Sequence, residues 1–533
     1  MIAYKLLLGS VTLTISLTTA EYTLGGRERD GHAAATLSAR EQALSQHKTT
    51  LPTVSESYTV TPDPSETFGT WEGWGTSLAW WANVFGERDD LADAIFTMDF
   101  SDVTLASGQT LSVPGLGMNI ARYNAGGCSW NSIDGQTMVE SANIPKFKQI
   151  EAFWLDWYSN DTSSSSWDWS VDANQIAMLT KAKARGANNF DLFSNSPVWW
   201  ALYNHNPCGS PTGSTDNLQS WNYANHALYM ASVAAYFKDE LDLTFDYVEA
   251  FNEPIADWWT ASNGQEGCHF DHDTQSTVLP MLRDALNGLG LSDTKIASSD
   301  ESLYTMARDT LQALTDEAKA VIDKVNVHGY EYEDGPRDEV YDEVVKMAAG
   351  TKLYNSEYGD GDATGLSLAR NFALDIQWLH PTAWVYWQVL DGGGWGALDS
   401  TLDGDSVGVD EANPKWYRLA QYTRHFRAGM VVIDGGGDDT VAFYDSEAQT
   451  LTLVTTTYDI DNDRSSVNVK HDLSAFSHVK GPITRWATST GVSPYQLYEG
   501  PLNDVALDSE AKAFSAAFAS NTTMTFVVEG VVV

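Results

Sequence analysis

Positive charge is scarce in this chain. Its 533 residues carry 31 Lys and Arg against 72 Asp and Glu, a formal net charge of −41. So acidic a surface repels phosphate backbones and anionic lipid, which excludes nucleic-acid and membrane-surface partners. Long apolar runs are missing as well. The stretch over residues 6–19 falls short of the roughly 20 residues that a membrane-spanning helix needs, and no later segment reaches that length. Only three cysteines occur, Cys128, Cys208 and Cys268, so one disulfide is expected and one thiol must be left over. There is no Cys-x-x-Cys and no His-Glu-x-x-His, which argues against a metal site. The glycine run Gly392 to Gly394 lacks the Lys-Ser/Thr of a phosphate loop, so neither nucleotide nor other cofactor is expected.

Aromatic rings, by contrast, are plentiful, with 20 Trp and 23 Tyr. Flat rings with a polar edge fill cores and stack equally well on the apolar faces of sugars. At 43% hydrophobic residues the chain can bury a sizeable core, and its length exceeds what one core supports, so a large domain with a smaller companion is expected. The acidic balance favours solubility and suits work on a neutral or weakly charged substrate in acidic surroundings. Lys5 precedes the apolar stretch and Ala20 precedes the charged Glu21, the layout of a signal peptide over residues 1–20. A secreted, soluble, monomeric protein is the expectation, with glycan acceptors at Asn160-Asp-Thr and Asn521-Thr-Thr.

Residues 21–64 are polar, contain Pro, Ser and Thr, and read as an extension or linker that ends in a strand belonging to a folded domain. From Gly73 onward, short apolar runs alternate with amphipathic helical stretches. The runs fall at 73–81, 117–124, 189–196, 246–252, 295–300, 324–330, 352–357 and 383–390. Eight alternations predict an α/β fold, a (β/α)8 TIM barrel over residues 65–428, because an open doubly wound sheet normally stops at five or six strands. The interval 91–114 is the least helical of the connections. Residues 429–533 alternate apolar and polar positions, which predicts a C-terminal antiparallel β-sandwich side domain.

In such a barrel the chemistry sits at the C-terminal ends of the strands. The fourth strand ends in Asn252-Glu253-Pro254 and the seventh in Ser356-Glu357-Tyr358. Glycosidic cleavage with retention needs one carboxyl that donates and then accepts a proton, and a second about 5 Å away that attacks the anomeric carbon. Strands four and seven face each other across the mouth, so Glu253 is expected as acid/base and Glu357 as nucleophile. Asn252 stands where it can bond a sugar hydroxyl beside the leaving bond.

The chain resembles the fungal-type endo-β-1,6-galactanases of glycoside hydrolase family 30. The resemblance runs through Trp71-Glu-Gly-Trp-Gly-Thr-Ser-Leu-Ala-Trp-Trp81, Asn119-Ile-Ala-Arg-Tyr-Asn124, Leu192-Phe-Ser-Asn-Ser-Pro197, Phe251-Asn-Glu-Pro254, Asn326-Val-His-Gly-Tyr330, Asn355-Ser-Glu-Tyr-Gly359 and Val385-Tyr-Trp-Gln388. It implies a barrel with a β-domain, retaining chemistry on Glu253 and Glu357, and attack on β-1,6-linked galactose chains such as arabinogalactan side chains. Another β-linked glycan, β-1,6-glucan or xylan, and a silent sugar-binding barrel remain alternatives. By position Arg122 and Asn124 on strand two, with His328 and Tyr330 on strand six, are expected around the carboxylates. Trp199, Trp200, Trp387 and Trp395 are candidate sugar platforms that fit a core equally well, and Trp74 and Tyr358 are further candidate sugar contacts. Cys128 and Cys268, both in loops leaving barrel strands, are the favoured disulfide.

Overall fold

The computed structural model describes residues 56–458 and 466–533. The expected signal peptide and most of the polar extension lie outside these residues. Eight parallel strands close into a barrel in sequence order: Gly73–Ser77, Ile120–Asn124, Asn189–Phe193, Tyr247–Val248, Lys295–Glu301, Lys324–His328, Lys352–Tyr358 and Ala383–Tyr386. Each matches one of the runs read from the sequence. Helices follow them on the outside, among them Ala173–Ala184, Tyr223–Leu241, His272–Gly288 and Leu366–Leu374. The connection least like a helix holds a short one, Asp89–Phe96, and then a hairpin of Phe100–Thr104 with Thr110–Pro114.

The strands are buried on both faces, as parallel strands under a helical ring must be. Three ladders lose register near the barrel mouth, between Ser299 and Glu301, between Val327 and His328, and between Asn355 and Tyr358. Such irregularities re-aim side chains, and these three fall at or beside Asp300, His328 and Glu357.

The β-domain is built from both ends of the chain. Its larger sheet has seven strands, ordered Asp63–Thr70, Val431–Asp434, Thr440–Asp445, Thr450–Thr457, Thr522–Glu529, Ile483–Ser489 and Gln496–Leu502. Its smaller sheet joins Glu56–Val60 in parallel to Val467–Asp472, which pairs antiparallel with Ala513–Phe518. Leu451, Leu453, Phe526, Val469, Phe514 and Phe518 fill the space between the two. The expected barrel start at residue 65 is therefore corrected, since 65–70 lie in a strand hydrogen-bonded to Val431–Asp434. Apolar alternation marks a strand but not the sheet it joins. Helix Pro414–Thr423 locks barrel and β-domain together through Gln421, which donates to Thr488 Oγ1 at 2.9 Å and accepts from Thr525 Oγ1 at 2.6 Å.

Candidate active site

A pocket of about 420 Å³ opens at the C-terminal ends of the barrel strands, with Glu253 and Glu357 in its wall. Glu253 follows the short fourth strand in left-handed backbone, φ 47°, a conformation that costs a residue with a Cβ and concentrates at functional sites. Trp259 Nε1 donates to the Glu253 carbonyl at 2.8 Å, and Trp258 Nε1 approaches Glu253 Oε2 at 3.3 Å. Glu357 sits within the seventh strand, where Arg122 Nη1 donates to its Oε2 and Tyr330 Oη to its Oε1, both at 2.8 Å.

His328 lies between the two carboxylates. Its Nδ1 is 3.1 Å from Glu253 Oε1 and 3.5 Å from Glu357 Oε1, and its Nε2 is 2.9 Å from Asp300 Oδ1. A neutral imidazole has one proton and cannot satisfy oxygens on both sides. Burial works against the charge, but Glu357 and Asp300 outweigh it and hold His328 well above the usual histidine range. Asp300 also takes Arg122 Nη2 at 2.6 Å and the Ser356 hydroxyl at 2.6 Å. Burial alone would protonate it, yet Arg122 and His328 together bring its pKa to about 2.

Glu357 behaves differently. Burial raises its pKa, His328 and Arg122 pull it down, and the result stays above the ordinary glutamate value. Glu301, next to Asp300, accepts from Thr310 Oγ1 and the Ile255 N–H, and burial lifts it to about 8. Glu253, His328 and Glu357 each offer one ligand atom within 4.8 Å of the others. That donor set could hold a divalent cation, but Arg122 and the charged His328 already supply the positive charge. Asp216, His269 and Asp271 form a second such group that does not border the pocket.

The O-glycosyl hydrolase family 30 profile matches residues 57–328. An endo-β-1,6-galactanase of Hypocrea rufa is 49% identical over 479 residues, which cover 89% of this chain and 95% of that protein. The chain belongs to O-glycosyl hydrolase family 30. An exo-β-1,6-galactobiohydrolase of Bifidobacterium longum subsp. longum is 24% identical over 63% of this chain and 27% of its own length. The catalytic domain of the family 30 xylanase C of Talaromyces cellulolyticus shares the fold, with a TM-score of 0.64 at 17% identity over 88% of this chain and all of that one.

In this family 30 hydrolase the pocket gathers Asn252, Glu253, Tyr330, Glu357, Trp387 and Trp395 from the residues expected in sequence, with Arg122 and His328 directly behind the carboxylates. Trp387 is buried edge-to-face against Trp80, while Trp395 is 38% exposed. Gly359 lets these rings approach, since a Cβ there would stand 3.0 Å from the Trp395 ring.

Five expected contacts lie elsewhere. Trp74 packs with Trp71, Phe372 and Trp384 and donates to the Phe426 carbonyl, away from the pocket. Trp199 and Trp200 are core, their ring N–H groups spent on Ser129 Oγ and the Trp154 carbonyl. Tyr358 is buried against Trp384 and accepts from Asn371. Asn124 donates to Glu266 and accepts from the Asn195 N–H. Four of the five are aromatic residues at or near strand ends, where only packing separates rings that face the mouth from rings that face the helices, and Asn124 is a strand-end amide whose partner Glu266 comes from a distant segment.

The expected Cys128–Cys268 disulfide does not form; all three cysteines are free and buried. Cys128 Sγ donates to Glu266 Oε1 at 3.2 Å, whereas Cys268 Sγ points to the His269 carbonyl. The sequon residue Asn160 is exposed, and Asn521 is a half-buried left-handed turn residue, φ 54°.

Several pocket residues escaped sequence reasoning: Trp80, Lys148, Asn195, Trp258 and Asp391, and Asp300 beneath them. Asn195 lies in the quoted Leu192–Pro197 motif, and its buried side-chain oxygen and nitrogen have no partner among the described residues. Asn252 Oδ1 is likewise buried and without a partner, so both amides are placed to bond sugar hydroxyls. Asp300 closes the apolar run read over 295–300, as Glu253 follows the run over 246–252, and a search of every such run's end for acids would have found it.

Proposed function

We propose that this protein is a secreted, monomeric endo-β-1,6-galactanase that cleaves its substrate with retention of anomeric configuration. One observation carries the chemistry: a carboxylate oxygen of Glu253 lies within 4.8 Å of one from Glu357. Retaining glycosidases hold their carboxyls about 5–5.5 Å apart, whereas inverting ones leave roughly 6.5–9.5 Å for a water. Glu253 donates its proton to the departing oxygen while ionised Glu357 attacks the anomeric carbon. Glu253 then takes a proton from the water that releases the sugar. Arg122 and Tyr330 orient Glu357 for attack, and the His328 charge offsets the carboxylates that share its pocket.

The name of the Hypocrea rufa relative supports the β-1,6-galactan linkage. Among the described residues no helix is long and apolar enough to cross a membrane, and the signal-peptide layout of residues 1–20 supports export.

The test is product release from de-arabinosylated arabinogalactan, β-1,6-glucan and xylan, with proton NMR of the first-formed anomer. Galactan cleavage giving the β-anomer is expected, and Glu253→Gln and Glu357→Gln should each lower kcat by about 10²-fold or more. Preferential release from β-1,6-glucan or xylan would overturn the linkage, and first-formed α-anomer would overturn retention.

A further inference from the structure

His269 is 4% exposed, in the loop between the fourth strand and helix His272–Gly288. Its Nδ1 lies 3.0 Å from the Ala256 carbonyl, which can only accept, so Nδ1 carries the proton. The neutral ring then presents a lone pair at Nε2, and what Nε2 meets is another acceptor, Asp271 Oδ1 at 3.2 Å. Asp216, from the loop between the third strand and helix Tyr223–Leu241, completes the group, with one ligand atom from each of the three residues within 4.8 Å of the others. Among the described residues neither carboxylate pairs with a Lys or Arg, and nothing donates to His269 Nε2.

An ion pair of protonated His269 with Asp271 is a poor resolution, because the Asp271 side chain is 66% exposed and such pairs gain little in water. It also leaves Asp216 unmatched. Burial pushes the Asp216 carboxyl above the ordinary aspartate range even though the Thr274 hydroxyl and the Asp271 N–H donate to it. A bound cation removes both mismatches. Ligand bonds of about 2.0 Å at tetrahedral angles put neighbouring donor atoms about 3.3 Å apart, close to the 3.2 Å between His269 Nε2 and Asp271 Oδ1. A backbone carbonyl on the far ring nitrogen is also the usual support of a metal-bound imidazole.

We propose that Asp216, His269 and Asp271 form a structural site for a zinc-class divalent cation, which clasps the loop after the fourth strand to the loop after the third. One imidazole nitrogen with two carboxylates suits zinc, whereas calcium and magnesium take oxygen ligands alone. The positive end of helix His272–Gly288 opposes a cation, an effect that three coordinate bonds exceed. The clasped loop supplies Glu253, Trp258, Trp259, Asn263 and Gln265 to the pocket, so the ion would fix one wall of the active site without entering it. Its ligands come from two loops far apart in the chain, which no short ligand spacing announces.

The test uses the untagged full chain, stripped of metal with EDTA and dialysed. Zinc chloride is titrated in by calorimetry, and amide hydrogen exchange over residues 254–271 reports on the loop. One zinc ion per chain is expected, with slower exchange at Phe270 and Asp271 once it is bound. Asp271→Asn and Asp216→Asn should each weaken binding by about tenfold or more. Glu357→Gln, which removes a donor from the separate Glu253, His328 and Glu357 group, should bind zinc as the wild type does, and calcium chloride should not compete. Absence of zinc binding, binding unchanged in both aspartate variants, binding lost in Glu357→Gln, or equal affinity for calcium overturns the site. Zinc binding without slower exchange overturns the clasp.

Discussion

Glu253 and Asp300 are joined tip to tip: both adopt left-handed backbone, φ 47° and 60°, and the Glu253 N–H donates to the Asp300 carbonyl at 2.8 Å. The backbone that presents one carboxylate to the pocket is thus held by the residue whose own carboxylate anchors Arg122 and His328 behind it.

Asp300→Asn separates these two jobs, because asparagine tolerates left-handed backbone while losing the charge. The Arg122 and His328 charges would lose their buried counter-ion, and His328 should become easier to deprotonate. We expect kcat on galactan to fall about 100-fold or more, with stability lowered by roughly 3–5 kcal/mol. Steady-state kinetics with a denaturant titration checks both. Unchanged kcat in a folded variant would remove Asp300 from the positioning network.

The Tyr330 hydroxyl stabilises the charged form of Glu357, whose pKa burial already holds above the ordinary value. Burial and Glu357 keep Tyr330 itself protonated throughout the working range. In Tyr330→Phe the donor disappears and the Glu357 pKa rises further. The acid limb of the kcat/KM profile should move to higher pH by about half a unit to one unit. A limb that stays put or moves to lower pH contradicts the assignment.

Burial lifts the Glu301 pKa to about 8 in the fold, against an ordinary value of 4.5. Below pH 4.5 both states are protonated and its contribution is intact; as pH rises toward 8 the unfolded chain ionises first, and stability is lost. Glu301→Gln mimics the protonated acid and should remove part of that loss. We expect the variant to exceed the wild type by on the order of 3 kcal/mol at neutral to alkaline pH and to match it in acid. Urea melts across that range decide the matter, and a pH-independent difference would argue against a protonated Glu301.

Trp395 and Trp199 separate platform from core. Trp395→Ala removes a partly exposed pocket ring and should raise KM by about tenfold with little effect on stability. Trp199 is fully buried with its N–H on Ser129, so Trp199→Ala should lower stability by roughly 3–5 kcal/mol. The opposite pattern in paired melts and kinetics would reverse the two assignments.

The barrel was legible because burial on both faces leaves short apolar runs at a countable spacing, and because Asn252-Glu253-Pro254 and Ser356-Glu357-Tyr358 terminate two of them. Carboxylates at strand ends follow from chain order alone. What the rings and thiols do depends on which side of a strand or loop they leave. Trp74, Trp199 and Trp200 were therefore indistinguishable in sequence from Trp387 and Trp395, and Cys268 from a partner for Cys128. The same holds for the charges: Asp300, His328 and Lys148 come from distant segments, and only closure of the barrel brings the first two together and leaves Lys148 unpaired at its mouth. Local periodicity determined the scaffold and the two carboxylates, while the electrostatics around them arise from contacts between residues far apart in the chain, which the tertiary structure alone decides.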